Sequence, residues 1–77
     1  MMTPREIIEA FPTKAAFGRA CGFTKYPERN AWHMHKRNRI PVKYWRHIEA
    51  EAKGIGRRDI TMLALAEAHA PKLEAAE

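Results

Sequence analysis

Residues 17–41 read FGRACGFTKYPERNAWHMHKRNRIP, and the punctuation of this stretch decides the fold. Gly22 follows a short run that carries Ala16, Phe17 and Ala20, where it supplies the left-handed residue that closes a helix, and Phe23 can fold back onto that helix. Pro27 is compatible with a helix only in its first turn, where a missing amide proton costs nothing. A second helix is therefore expected over about 27–37, capped by Thr24 or Tyr26. Asn38 is a suitable left-handed terminator, and Arg37 and Arg39 sit beside the negative end of the helix dipole. Two helices joined by a glycine turn thus occupy the middle of the chain.

Similar punctuation extends outward in both directions. Thr3, Pro4 and Glu6 form the start of a first helix with a capping box, and Ile7, Ile8 and Phe11 make its apolar stripe. Phe11-Pro12 ends it. Thr13 then caps the helix that runs through Cys21 and buries Ala16, Phe17 and Ala20. Beyond the quoted stretch, Pro41 is expected to open a fourth helix to about Lys53, with Val42, Trp45, Ile48 and Ala52 on one side and Gly54 after it. Thr61 caps a fifth helix, in which Ile60 and Leu65 are placed for a hydrophobic staple. Pro71 is expected to stop it. Nothing reads as a strand, because no alternating β-branched run exceeds a few positions. The fold class is all-α, a compact bundle of about five helices containing a helix-turn-helix, with one domain over 1–70 and a frayed tail over 71–77.

The chain has 77 residues, and a chain of this size buries only about 60% of its unfolded surface, leaving little room for an enclosed pocket. Its single cysteine, Cys21, fits a reducing compartment and reads as a small buried hydrophobe. No apolar run approaches the roughly 18 residues of a membrane span, and the first residues lack a signal-peptide layout. A cytoplasmic protein without membrane attachment is expected.

The formal net charge is +5, and it is unevenly placed. Between residues 25 and 47 stand seven cations (Lys25, Arg29, Lys36, Arg37, Arg39, Lys43 and Arg46) against the single acid Glu28, a surplus of +6. The rest of the chain has seven cations against eight acids, or −1. Such concentration is the footprint of a surface meeting a polyanion, although a solvated basic face gives the same count.

At about 100° per residue, Pro27, Ala31, Met34, His35 and Asn38 share a narrow inward face of the helix over 27–37. Lys25, Arg29, His33 and Lys36 lie opposite, with Tyr26 and Trp32 on the flanks. Such a helix, about 16 Å long, suits the roughly 12 Å wide major groove of B-DNA. Arg29, Asn30, His33 and Lys36 have the hydrogen-bonding chemistry to read base edges, whereas Lys25, Tyr26, Arg37, Arg39, Lys43 and Arg46 are better suited to the backbone. Trp32 is compatible with a backbone contact, a support for the turn or a protein interface.

Other chemistries find no support. His33 and His35 point about 200° apart, too divergent to chelate one ion, and no further Cys or His completes a zinc spacing. Without a phosphate-cradling glycine loop or a nucleophile with a base at usable spacing, no catalytic activity is expected. No cofactor, metal or small-molecule ligand is expected either.

The segment FGRACGF followed by NAWHMHKRNRIP resembles the helix-turn-helix of Cro-like and phage-repressor-like proteins, in particular the YdaS-like and carph-isopro groups. The matching positions are Gly18 four before the turn glycine Gly22, the apolar pair Ala31 and Met34, and Lys36, Arg37 and Asn38 before Pro41. The continuation PVKYWRHIEAEAKGIG is similar to the next helix of these proteins, so the likeness spans about residues 6–69. Ala31 stands nine positions after Gly22 where the family usually has six, which lengthens the turn by about three residues. The family also commonly has a large apolar residue or tryptophan where Met34 stands.

The resemblance implies a lambda-repressor-like fold and a bacterial or phage transcriptional regulator, often a repressor, that binds a palindromic operator in double-stranded DNA as a homodimer. Two recognition helices must reach successive major grooves about 34 Å apart, which one short chain does not span. Met62, Leu63 and Leu65 on the fifth helix are nominated as the dimer contact. The rival reading is a protein-interaction module or adaptor that docks its basic helix on an acidic protein surface.

Overall fold

A computed structural model describes residues 2–76, with side chains described for residues 2–69. It is all-helical over those residues: α1 (Pro4–Glu9), α2 (Lys14–Ala20), α3 (Pro27–Arg37), a 3-10 turn (Val42–Tyr44), α4 (Trp45–Gly54) and α5 (Met62–Ala76). The starts of α1, α2 and α5 follow their local capping signals. Thr3 Oγ1 accepts the Glu6 amide while the Glu6 carboxylate accepts the Thr3 amide, a complete capping box. Thr13 accepts the Ala16 amide at 3.0 Å and Thr61 the Ala64 amide at 3.0 Å.

The core joins all five helices. Ile7, Ile8, Phe17, Ile40, Ile48, Ile60 and Leu65 are fully buried, and Phe11 meets Phe17 edge to face at 5.2 Å. Fully burying one such side chain contributes about 1.5–3 kcal/mol relative to leaving it exposed, which makes this cluster the main support of the bundle. Ala16 is only half-buried, while Phe17 and Ala20 are buried as their spacing requires.

The α2–α3 pair is the tightest unit of the bundle. Gly22, at φ +101, closes α2, with its own amide bonded to the Arg19 carbonyl and the Phe23 amide to the Gly18 carbonyl. This double bond pattern satisfies the last carbonyls of α2 and needs a left-handed residue at that point. Gly18 is constrained for a different reason: a Cβ there would collide with the backbone of Pro27. The first turn of α3 rests directly on the main chain of α2.

Several expectations are corrected. Pro41 does not open the fourth helix. It precedes a 3-10 turn, and α4 starts at Trp45. With its tighter winding this turn directs Val42 away from the face of Ile48 and Ala52, and Val42 is 66% exposed. Helix α4 closes one turn-residue later than expected. Gly54 is its last helical residue and Gly56 takes the left-handed conformation, its amide bonding to the Lys53 carbonyl. Pro71 does not stop α5, whose backbone remains helical to Ala76. An interior proline removes one amide bond and crowds the carbonyl four residues back, which weakens or kinks a helix without necessarily ending it. The stretch 71–76, expected as a tail, has a helical backbone, and residue 77 lies outside the described residues.

Candidate nucleic-acid interface

Helix α3 is held at both ends, and each clamp leaves its outer side uncovered. At its start, Tyr26 occupies the N-cap in the left-handed region at φ 53 with no side-chain cap. For an aromatic residue this costs about 1–2 kcal/mol. Asn30 offsets the strain: its Nδ2 donates to the Lys25 carbonyl at 3.2 Å and to the Tyr26 carbonyl at 3.0 Å. The helix therefore begins at Pro27, and Lys25 and Tyr26 belong to the connection rather than to the helix wall.

At its end, Asn38 is left-handed at φ 54, and the Arg39 amide reaches back to the Met34 carbonyl at 3.1 Å. Arg5 of α1 then caps the terminus from outside the helix. Its Nε donates to the His35 carbonyl at 2.8 Å, its Nη2 to the Lys36 carbonyl at 3.0 Å, and its amide to Asn38 Oδ1 at 3.1 Å. A guanidinium on the last carbonyls of a helix also complements the negative end of its dipole. His35 Nε2 lies 2.9 Å from Glu9 Oε1, adding a second tie to α1.

Between these clamps the two sides of α3 separate as the helical spacing requires. Ala31 and Met34 are buried and Pro27, His35 and Asn38 are partly buried. Arg29, His33 and Lys36 are exposed together on the opposite side. Their flanks carry rings that order the cations: Arg29 Cζ lies 5.3 Å from the Tyr26 ring centre, and Lys36 Nζ lies 5.1 Å from that of Trp32. Trp32 also meets the His33 ring edge-on at 5.3 Å.

Beside this face runs a cleft of about 440 Å³ between α3 and the segment that follows it. His33 and Arg37 line it from the helix, and Arg39, Lys43 and Tyr44 from the following segment. Lys43 Nζ stands 5.1 Å from the Tyr44 ring centre. Arg46, on the first turn of α4, is exposed but does not line the cleft. Asn30 also lines the cleft, while its Nδ2 donates to the Lys25 and Tyr26 carbonyls at the start of α3. It positions the helix.

The segment bearing Arg39 and Lys43 is fixed through Ile40. The Ile40 amide donates to His69 Nε2 at 2.9 Å, and the Trp45 indole donates to the Ile40 carbonyl at 2.8 Å. His69 is buried, and its Nδ1 lies 2.7 Å from the Leu65 carbonyl. Since a carbonyl can only accept, the proton is on Nδ1 and Nε2 is the bare acceptor: a neutral imidazole. The Trp45 and His69 rings lie 5.1 Å apart. Sequence reading missed both His69 and Arg5. His69 gives one faint signal, lying one helical turn after the buried Leu65, whereas Arg5 gives none.

Leu65 is corrected as a dimer contact: it is fully buried in the chain's own core, in the same cluster as Ile60. Met62 and Leu63 remain exposed at 41% and 69%. Cys21 is buried, which pushes its thiol up to about 12. Among the described residues no group of three His, Cys, Asp or Glu side chains gathers as a metal site, and no helix is long and apolar enough to cross a membrane. No protein-family model, curated protein or solved structure matches the chain.

Proposed function

We propose that this chain is a small sequence-specific double-stranded DNA-binding regulator, acting as a repressor, that lays α3 in the major groove. One observation carries the reading: Arg29, His33 and Lys36 stand exposed together on one side of a helix whose other side is buried and whose ends are both clamped. A rigid helix presenting cationic and hydrogen-bonding tips is what direct readout needs. Arg29, His33 and Lys36 would contact base edges. Lys25, Tyr26, Arg37, Arg39, Lys43 and Arg46 would meet phosphates and set affinity and register. The likeness of residues 6–69 to Cro-like proteins supports the same reading, and adds a palindromic operator and a dimer in the bacterial or phage cytoplasm. Met62 and Leu63 are the residues available for that dimer contact.

Selection of bound fragments from randomised duplex DNA at physiological salt tests the proposal. A palindromic consensus bound about a thousandfold or more above random DNA is expected; recovery of all sequences alike would refute it. The exposed rings of Tyr26 and Trp32 favour a second reading, an adaptor docking this basic helix on an acidic protein surface, which predicts no consensus at all.

A further inference from the structure

Beside the first half of α3 lies an open hollow of about 540 Å³ that includes Tyr26 and Arg29 of the major-groove reading and also Trp32, to which that reading gives no role. Tyr26, Pro27, Glu28, Arg29 and Trp32 line it, with Ala15 from the first turn of α2. Its two aromatic walls are exposed, Tyr26 at 67% and Trp32 at 48%. Each carries a cation against its ring, Arg29 on Tyr26 and Lys36 on Trp32. Aromatic surface and positive charge thus alternate along one stretch of chain, with Glu28 the single acid in the hollow.

A polymer that offers a planar ring and an anion in every unit complements this arrangement, and that polymer is a polynucleotide. A base in continuous duplex keeps its faces against its neighbours, so only an unstacked base can present a face to a protein ring. We propose that the Tyr26–Trp32 hollow accepts one unstacked base of the bound DNA, so that the chain favours a duplex carrying an unpaired nucleotide over a continuous one. The inference rests on the DNA-binding reading and adds to it a second mode of contact. A bulged base has already given up its stacking, so the protein need not supply the free energy of extrusion.

The test compares a mixed-sequence duplex with the same duplex carrying one extra unpaired 2-aminopurine, titrated by fluorescence anisotropy and by 2-aminopurine emission. The intact chain should bind the bulged duplex roughly tenfold more tightly, from the size of one base–aromatic stacking contact, and should quench the emission. Trp32→Ala and Tyr26→Ala should each bring the affinity ratio toward unity, while Trp32→Phe keeps most of the preference and of the quenching. Circular dichroism melting verifies that the variants fold. Equal affinity for both DNAs, or a preference that survives Trp32→Ala, overturns this inference and leaves the duplex reading intact. Binding of neither DNA overturns this inference, and if the duplex selection also yields no consensus, binding of an acidic peptide in a Trp32-dependent manner assigns the hollow to a protein partner.

Discussion

Gly18 of α2 and Pro27 of α3 meet backbone to backbone, so closely that a Cβ on residue 18 would strike the Pro27 carbonyl group. Because the obstacle is main chain rather than the end of a flexible side chain, it has no rotamer in which to retreat. Gly18→Ala should therefore destabilise the fold by about 3 kcal/mol, at the upper end of overpacking costs. Urea denaturation measures the loss. An unchanged midpoint would mean that α3 can lift from α2 at no cost. In a folded Gly18→Ala protein, DNA affinity should also fall, since the helix that presents Arg29 and Lys36 would be displaced.

His69→Leu preserves the bulk of the side chain but leaves the Ile40 amide, now bonded at 2.9 Å, without its acceptor. An orphaned buried donor costs about 1–3 kcal/mol. The loss should appear in thermal melting, and the Ile40 amide should become one of the faster-exchanging amides of the variant. In the parent protein, nitrogen chemical shifts of His69 should report a neutral ring protonated on Nδ1; an Nε2-protonated ring would contradict the assigned bond to Ile40.

Arg5→Ala removes two bonds from one guanidinium to the last carbonyls of α3. With the ends of these bonds exposed to solvent, the expected loss is about 1–2 kcal/mol, near the ordinary net value for each hydrogen bond. Hydrogen exchange should localise the change to the end of α3. Uniform acceleration across all helices, with none favoured, would count against a local cap.

On DNA, Arg29→Ala and Lys43→Ala should behave differently. Loss of a base-reading side chain costs about 1–3 kcal/mol on the preferred sequence and relaxes discrimination at one position. Loss of a phosphate contact weakens all sequences alike and lowers the slope of log affinity against log salt by about 1. Titrations of both variants on a selected site and on random DNA, at several salt concentrations, separate the two effects.

The Cys21 thiol provides a reporter of unfolding. With burial holding it up to about 12, it carries almost no thiolate near pH 8. Alkylation by iodoacetamide should be far slower than for a cysteine in the denatured chain, and should accelerate with added urea. Over the window between the ordinary thiol value of 9.0 and about 12, the unfolded chain binds fewer protons than the folded one, so stability falls as pH rises. Cys21→Ala should lose that part of the alkaline decline.

Much of what is settled within a few residues of a position was legible in the sequence. Thr3 with Glu6, Thr13, Gly22, Asn38 and Thr61 each set a helix end through bonds to neighbours no more than five positions away, and the spacing of Ala31 and Met34 set which side of α3 turns inward. The co-location of Arg29, His33 and Lys36 followed from helical geometry alone. Tertiary structure decided the rest, because those outcomes depend on groups brought together from distant positions or on competition between local preferences. Arg5 reaches α3 across 30 positions, His69 reaches Ile40 across 29, and Leu65 is claimed by the core rather than left for a partner. Asn30 has the chemistry of a base reader, and the fold also commits its Nδ2 to the carbonyls of Lys25 and of the left-handed Tyr26. Hydrogen-bond donors go where an unsatisfied acceptor stands, and only the folded chain fixes where that is.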